Sequence, residues 1–355
     1  MTKSSLTRTA AVFAACLLAA AGAAAEDSYP GTANLHNPSR ETVVKSEFAK
    51  AAENAQKASI TVLYGVVDKS NYNHPNRIQH ARRGSGVHLH DGYILTARHG
   101  VLEGFNGNKI VPTEITIMTD DLEELDAKYV GDNEYLDIAI YKVDTAKLPA
   151  TWAASKFSDQ EPQMGDEVYA IGYPLGWGPS VTYGKVGNIH AFLPNAESRL
   201  EQVDMSTCVG SSGGGVFNEK GELAGMVQSI IQTNEAQPGC SHSTYIVPGP
   251  LINRAADSII KGEKVRFSEL GILMDTQKMG KDWHVAVKGL TGVSAARRAG
   301  VQTGDIILSI GDTVVKSEAE LKSYLVEKTK PGDKKIMKVL RNGQEWLLKI
   351  TLGPS

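Results

Sequence analysis

A serine set in a run of glycines, Cys208-Val209-Gly210-Ser211-Ser212-Gly213-Gly214-Gly215, is the stretch of this sequence best suited to covalent chemistry. Four glycines within six residues permit a bend that residues with side chains resist. Such a bend can turn two backbone N–H groups toward one point beside a hydroxyl. Acyl transfer needs that arrangement, a nucleophile with oxyanion donors next to it. Gly/Ser runs also serve as flexible linkers. This one lies between two apolar, strand-like segments, residues 200–205 and 221–231, where a linker is not expected. A serine nucleophile also needs a base and a group that orients the base. Upstream, residues 93–101 read as a strand running into His99, and residues 135–143 place Asp137 at the opening of an apolar strand.

The chain order His, Asp, Ser is that of the chymotrypsin-type double barrel. Five motifs follow in order: Gly84-Ser85-Gly86-Val87, Thr96-Ala97-Arg98-His99, Asp137-Ile138-Ala139, Ala170-Ile171-Gly172-Tyr173-Pro174-Leu175-Gly176 and Gly210-Ser211-Ser212-Gly213-Gly214. On these residues the chain resembles the HtrA/Deg family of trypsin-like serine proteases that carry a C-terminal PDZ domain, over residues 58 to 353. The resemblance implies a mainly β fold, a chymotrypsin-like double β-barrel followed by one PDZ domain. Its implied catalytic residues are His99, Asp137 and Ser212. Ser212 attacks the scissile carbonyl, His99 takes its proton and returns it to the leaving amine, and Asp137 fixes the tautomer of His99. The oxyanion hole is expected from the N–H groups of Gly210 and Ser212. No metal or organic cofactor is implied. His88 and His90 alternate on one strand with His80 nearby, but no further ligand spacing supports a metal site, and they read as surface histidines.

Composition sets the bounds. A chain of 355 residues, 41% hydrophobic with 35 glycines, fits two or three globular, turn-rich domains. A net charge of −3 gives no global pointer to nucleic acid. Lys3 and Arg8 precede an apolar run that ends in Ala23-Ala24-Ala25, so residues 1–25 read as a signal peptide. Cys16 follows two alanines as in a lipoprotein site, but Phe13 fits such a site poorly, and lipidation is not expected. Export, to a bacterial periplasm, makes a Cys208–Cys240 disulfide the favoured state of the remaining cysteines, in the position where chymotrypsin-group enzymes brace the specificity pocket.

Residues 26–57 read as an N-terminal arm and a helix over 42–57. Residues 68–83 read as a polar surface loop containing Arg77, Arg82 and Arg83. Short strands separated by turns such as Asp91-Gly92 place a barrel over 58–145, and a second runs to about 248. The protease domain is thus expected over 58–250, a short helix and linker over 251–264, and the PDZ domain over 265–353, with a helix over 318–327. A PDZ groove adds a peptide as an extra strand and captures its carboxylate on backbone N–H groups. Leu270, Gly271 and Ile272 are expected to supply them.

The resemblance also implies a specificity. Ser206 and Thr207 would lie near the floor of the S1 pocket and Ile230 on its wall. With no acidic floor residue, small aliphatic side chains are the expected P1 residues. Ser211 stands where the digestive enzymes have an aspartate, so ordering of the oxyanion loop by a newly cut N-terminus is not expected. The expected function is an exported serine endopeptidase for unfolded or damaged envelope proteins, with C-terminal peptides binding the PDZ domain and a homotrimeric assembly. Two alternatives are a peptide-binding chaperone or scaffold with weak or no proteolysis, and a narrow regulatory protease activated through its PDZ domain.

Overall fold

The computed structural model describes residues 46–67, 78–105, 108–176, 178–193, 196, 198–230 and 239–355. The expected signal peptide, Cys16, the arm over 26–41, Arg77 and Trp177 lie outside these residues. The first element, helix α1 (Glu47–Lys57), is capped by Ser46, whose hydroxyl accepts from Ala49 N–H at 3.1 Å.

The first barrel is built from β1 (Ser59–Val67), β2 (Ile78–His88) and β3 (Tyr93–Ala97), a helical turn α2 (Arg98–Val101), a side hairpin β4 (Glu103–Phe105) and β5 (Asn108–Ile110), then β6 (Glu114–Thr119), β7 (Glu124–Asn133) and β8 (Ile138–Val143). Its closed order is β1-β2-β3-β8-β7-β6. The expected loop over 68–83 is therefore shorter: β2 begins at Ile78 and pairs with β1 as far as Val67↔Ile78. Backbone pairing decides that stretch, and an apolar pattern was a poor guide to it.

The second barrel uses β9 (Glu167–Gly172), β10 (Ser180–Ala191), β11 (Leu200–Cys208), β12 (Gly215–Phe217), β13 (Leu223–Ile230) and β14 (Cys240–Pro248), closed in the order β10-β11-β14-β13-β12-β9. Strand β8 shows how the barrels join. Ala139 and Tyr141 pack inside the first barrel with Ile60, Ile94 and Ile117. The alternate residues Ile138 and Ile140 turn to a core shared with Tyr169, Ile171, Phe217 and Met226 of the second barrel. A β-strand buried on both faces reads as a continuous apolar run, as residues 138–141 do.

Helix α3 (Gly249–Ile260) follows. The linker expected over 251–264 is in large part this helix, and it is not a free tether. Leu251, Ile252, Ala255, Ala256 and Ile259 are buried in the shared core, because their spacing places them on one helical face.

The last unit has β15 (Ser268–Glu269), β16 (Ile272–Met279), β17 (Asp282–Leu290), a helical turn α4 (Ala295–Arg298), β18 (Ile306–Ile310), β19 (Thr313–Val314), helix α5 (Glu318–Glu327), β20 (Lys334–Arg341), β21 (Gln344–Thr351) and β22 (Gly353–Pro354). Its main sheet runs β16-β17-β18-β20-β21, a PDZ-like sheet with its own core of Val285, Val287, Ile307, Leu321, Leu325 and Met337. Strand β16 is an edge strand of this sheet, with α5 packed beside it.

Candidate active site

Antiparallel pairing of β3 with β8 places Ala97 opposite Ile138. The residues just beyond that pair, at the end of one strand and the start of the other, must therefore meet. Arg98 N–H donates to the Asp137 carbonyl at 2.8 Å. His99 N–H donates to Asp137 Oδ1 at 2.9 Å, and His99 Nδ1 lies 2.5 Å from Asp137 Oδ2. Both oxygens of one carboxylate are thus engaged by one residue. A carboxylate only accepts, so Nδ1 carries the proton and Nε2 is left with its lone pair free to act as a base. Asp137 takes a left-handed backbone, φ 55°, held by Asp137 N–H to the Glu134 carbonyl at 3.2 Å and Leu136 N–H to Asn133 Oδ1 at 3.0 Å. Its side chain is 18% exposed against 47% for His99, so the ring covers the acid and faces outward. Arg98 Nε fixes the flank of the turn on Asp132 Oδ2 at 2.6 Å.

Ser212 lies on the loop from β11 to β12. Ser211 N–H donates to the Cys208 carbonyl at 3.0 Å and Gly214 N–H to the Ser211 carbonyl at 2.9 Å. Gly213 N–H donates to the Val227 carbonyl at 2.8 Å. Gly213 has φ 87°, and a Cβ there would stand 2.1 Å from the Ser85 carbonyl oxygen, so no other residue fits. The disulfide Cys208–Cys240 closes the base of the loop between directly paired residues of β11 and β14. Among the described residues, no acceptor engages the N–H of Gly210 or Ser212. Ser212 Oγ donates to the Gln228 carbonyl at 3.3 Å, and no hydrogen bond joins it to His99 among the described residues.

The residues expected around S1 separate. Thr207 is buried and its hydroxyl pairs with Thr244 Oγ1 at 2.7 Å, while Thr244 donates on to the Met205 carbonyl at 2.9 Å. Ser206 and Thr207 line a cavity of about 430 Å³ with Ser211, Gly172 and Ser180. His99, Ser212 and Ile230 are not among the residues that line it. Ile230 ends β13 and pairs with Thr244. Ser211 is buried, and its Oγ accepts from Cys208 N–H at 3.4 Å, so that side chain is spent within its own loop.

In the PDZ-like unit, Leu270 is buried, with its carbonyl accepting from Ala296 N–H at 2.9 Å, and the Gly271 carbonyl accepts from Thr291 N–H at 3.0 Å. Gly271 has φ 69° and faces Ser294 too closely for a Cβ, which would sit 2.3 Å from that residue's own. Leu270, Gly271 and Ile272 line a cleft with Met274, Leu325 and Val326, and Tyr135 from the turn before Asp137 forms part of the same wall. Sequence reading did not find Tyr135 or Gln228. Each acts through a contact with a distant part of the chain, which no local pattern reports. His88, read as a surface residue, is buried. Its Nδ1 is 2.7 Å from the Ala153 carbonyl, its Nε2 accepts from Gly92 N–H at 3.2 Å, and its ring stacks on Trp152 at 4.1 Å. His90 is exposed beside Asp91.

Comparison with known proteins gives the same outline. A model of the trypsin-like peptidase domain matches residues 84–226, and a model of the PDZ domain matches residues 268–352. The chain is 32% identical over 275 residues to a probable periplasmic serine endoprotease, DegP-like, of Pseudomonas putida, covering 74% of this chain and 54% of the relative. A DegP-like relative from Halomonas elongata is 30% identical over 280 residues, covering 76% of this chain and 56% of that one. The chain thus spans about half the length of the curated relatives it matches. Among solved structures, the HtrA-type protease AlgW with a decapeptide is similar with TM-score 0.71 at 25% identity, covering 87% of this chain and 98% of the other. A serine endoprotease from Yersinia pestis is similar with TM-score 0.61 at 26% identity, covering 88% and 99%.

Proposed function

Because this chain belongs to the HtrA-type, DegP-like family of trypsin-like serine proteases, we propose that it is an exported, periplasmic serine endopeptidase acting on unfolded or damaged envelope proteins. The observation that carries the reading is the doubly held His99, 2.5 Å from Asp137, together with a loop that leaves the N–H groups of Gly210 and Ser212 free beside a serine hydroxyl. In this reading Ser212 Oγ turns from Gln228 to His99 as a peptide enters. His99 removes its proton, and the two N–H groups take the charge of the tetrahedral oxyanion. Collapse of that intermediate expels the amine, which takes the proton from His99. Water then repeats the sequence on the acyl-enzyme. The absence of an acidic side chain at Ser206 and Thr207 supports small aliphatic P1 residues. C-terminal peptides are the proposed ligands of the cleft at Leu270–Ile272, and a homotrimer is the proposed assembly.

The test is turnover of reduced casein by the full chain and by Ser212→Ala, with the cut sites mapped and the mass in solution measured by light scattering. Cleavage after valine, alanine or isoleucine that vanishes in Ser212→Ala is the expected result. Cleavage dominated by lysine or arginine would overturn the specificity, and cleavage unchanged in Ser212→Ala would overturn the mechanism. A regulatory protease switched through its PDZ domain is the second reading. It is favoured by one observation, that Tyr135 is shared between the PDZ cleft and the turn that carries Asp137. Casein left intact until a C-terminal peptide is added would select it.

A further inference from the structure

Ser85 stands on β2 of the first barrel, carries no role in the chemistry above, and is fully buried. Every polar atom it has is engaged. Its N–H donates to the Ser212 carbonyl at 2.9 Å, and its own carbonyl accepts from Thr96 Oγ1 at 2.7 Å. Its hydroxyl donates to the Gly210 carbonyl at 2.7 Å and accepts from Tyr173 N–H at 2.9 Å. The two residues it holds by their carbonyls are the two whose N–H groups are the oxyanion donors.

We propose that Ser85 is a positioning residue for the oxyanion hole, rigidly linking the first barrel to the loop of the second that must hold the developing charge. This rests on the serine-protease reading. The physical argument concerns Gly210, which has φ 97° and no side chain to restrict it. Its orientation is set by the two peptide planes on either side. The plane before it is held by Leu175 N–H, which donates to the Val209 carbonyl at 2.7 Å. The plane after it is held at one end within its own loop, by Ser211 N–H on the Cys208 carbonyl at 3.0 Å, and at the other by Ser85 Oγ on the Gly210 carbonyl, the tie that fixes it to the first barrel. Among the described residues no other donor reaches that carbonyl. With both planes fixed, the Gly210 N–H is left pointing at a defined place without a partner, which is what a preorganised donor requires. Loss of the Ser85 hydroxyl removes the tie of that plane to the first barrel and leaves the part-buried Gly210 carbonyl without a donor among the described residues. The loop can then shift against the first barrel, with a glycine at its bend offering little resistance, and the aim of the donor loosens. Ser85 touches no reacting atom, so its effect must appear in transition-state stabilisation and not in substrate binding.

The test compares the full-length chain with Ser85→Ala in three measurements: acylation by a fluorophosphonate, steady-state cleavage of a peptide ester, and inhibition by a peptide boronate against inhibition by the matching non-covalent peptide. Ser85→Ala is expected to lower kcat and the acylation rate about tenfold to a hundredfold, short of the ~10²–10³ for outright removal of a donor, with KM unchanged. Boronate affinity should fall by the same factor while the non-covalent peptide binds as before. Equal acylation rates in the two proteins, or a loss confined to KM, would overturn the proposal. If Ser85→Ala shows no cooperative unfolding transition, Ser85→Cys carries the same comparison. Its thiol is a weaker donor of similar size and should give a smaller loss in the same direction. A wild-type chain that the fluorophosphonate does not label at Ser212 would overturn the serine-protease reading itself, and with it this one.

Discussion

His99 is held at two points by one side chain, and that bidentate hold separates a placed base from a surface imidazole. An amide at position 137 keeps the shape but presents an N–H where Nδ1–H needs an acceptor, which selects the wrong tautomer. Asp137→Asn is therefore expected to lower kcat about 10⁴-fold with KM little changed, read on a peptide ester. Gly213→Ala should be worse for folding than for binding. Its Cβ would meet the Ser85 carbonyl at 2.1 Å and Ala97 N at 2.8 Å, so a drop of more than about 2 kcal/mol in a urea titration is expected. His88 sets a pH dependence. Burial lowers its pKa below the ordinary value, so the unfolded chain takes up a proton before the folded one does. Stability should fall as pH drops below about 6.5, and His88→Phe, though less stable at neutral pH, should lose that slope in thermal melts. His99 and Asp137 were legible as candidates because each is a polar group at an end of an apolar strand, and Ser212 because it stands in a run of glycines. His88 was not legible, since alternation along a strand tells which residues share a face but not whether Trp152 will cover it.

At the scale of elements, α5 was legible to its ends. Ser317 accepts from Glu320 N–H at 3.1 Å, and acidic residues fill the first turn, the ordinary signature of a helix start. Helix α3 was read as helix but also as linker, because a short amphipathic helix looks the same whether its apolar face meets the body of the domain or a neighbour. The loop over 68–83 was read too long because Gln79, His80, Arg82 and Arg83 are polar and are strand only by pairing with β1. The disulfide binds β11 to β14 at the foot of the loop that carries Ser212. Cys208→Ala with Cys240→Ala should lower stability by about 3–4 kcal/mol in the chain-entropy picture. The acylation rate should fall too, since the loop it closes carries the proposed oxyanion donors, Gly210 and Ser212.

The largest-scale contacts were invisible in the sequence, because they join charges far apart along it. Arg199, just before β11, is 4% exposed and reaches Glu327 at the end of α5 at 3.1 Å and Glu161 at 3.0 Å. Arg254 of α3 donates to the Val326 carbonyl at 2.6 Å, a second tie to the same helix end. Glu201 is fully buried beside this group, with no hydrogen bond to its carboxyl oxygens among the described residues and Arg199 Nη1 at 3.6 Å. Burial pushes its pKa up to about 8, with Arg199 opposing and Glu161 and Glu327 adding to the rise. Its folded value lies above its unfolded one, so it favours folding in acid, and that contribution is lost as pH rises from 4.5 toward about 8. Glu201→Gln should remove the loss and melt at a higher temperature than the parent near pH 9. Tyr135 has the widest consequence. Its side chain lines the cleft at Leu270, Gly271 and Ile272 and stands two residues along the chain from Asp137, with its ring 5.6 Å from Phe267. Any coupling between two sites of one molecule is symmetric. Whatever factor a peptide in the cleft applies to the binding of a boronate at Ser212, that boronate must apply to the peptide. A labelled C-terminal peptide titrated against free and boronate-capped protein would therefore read any such coupling from the far end.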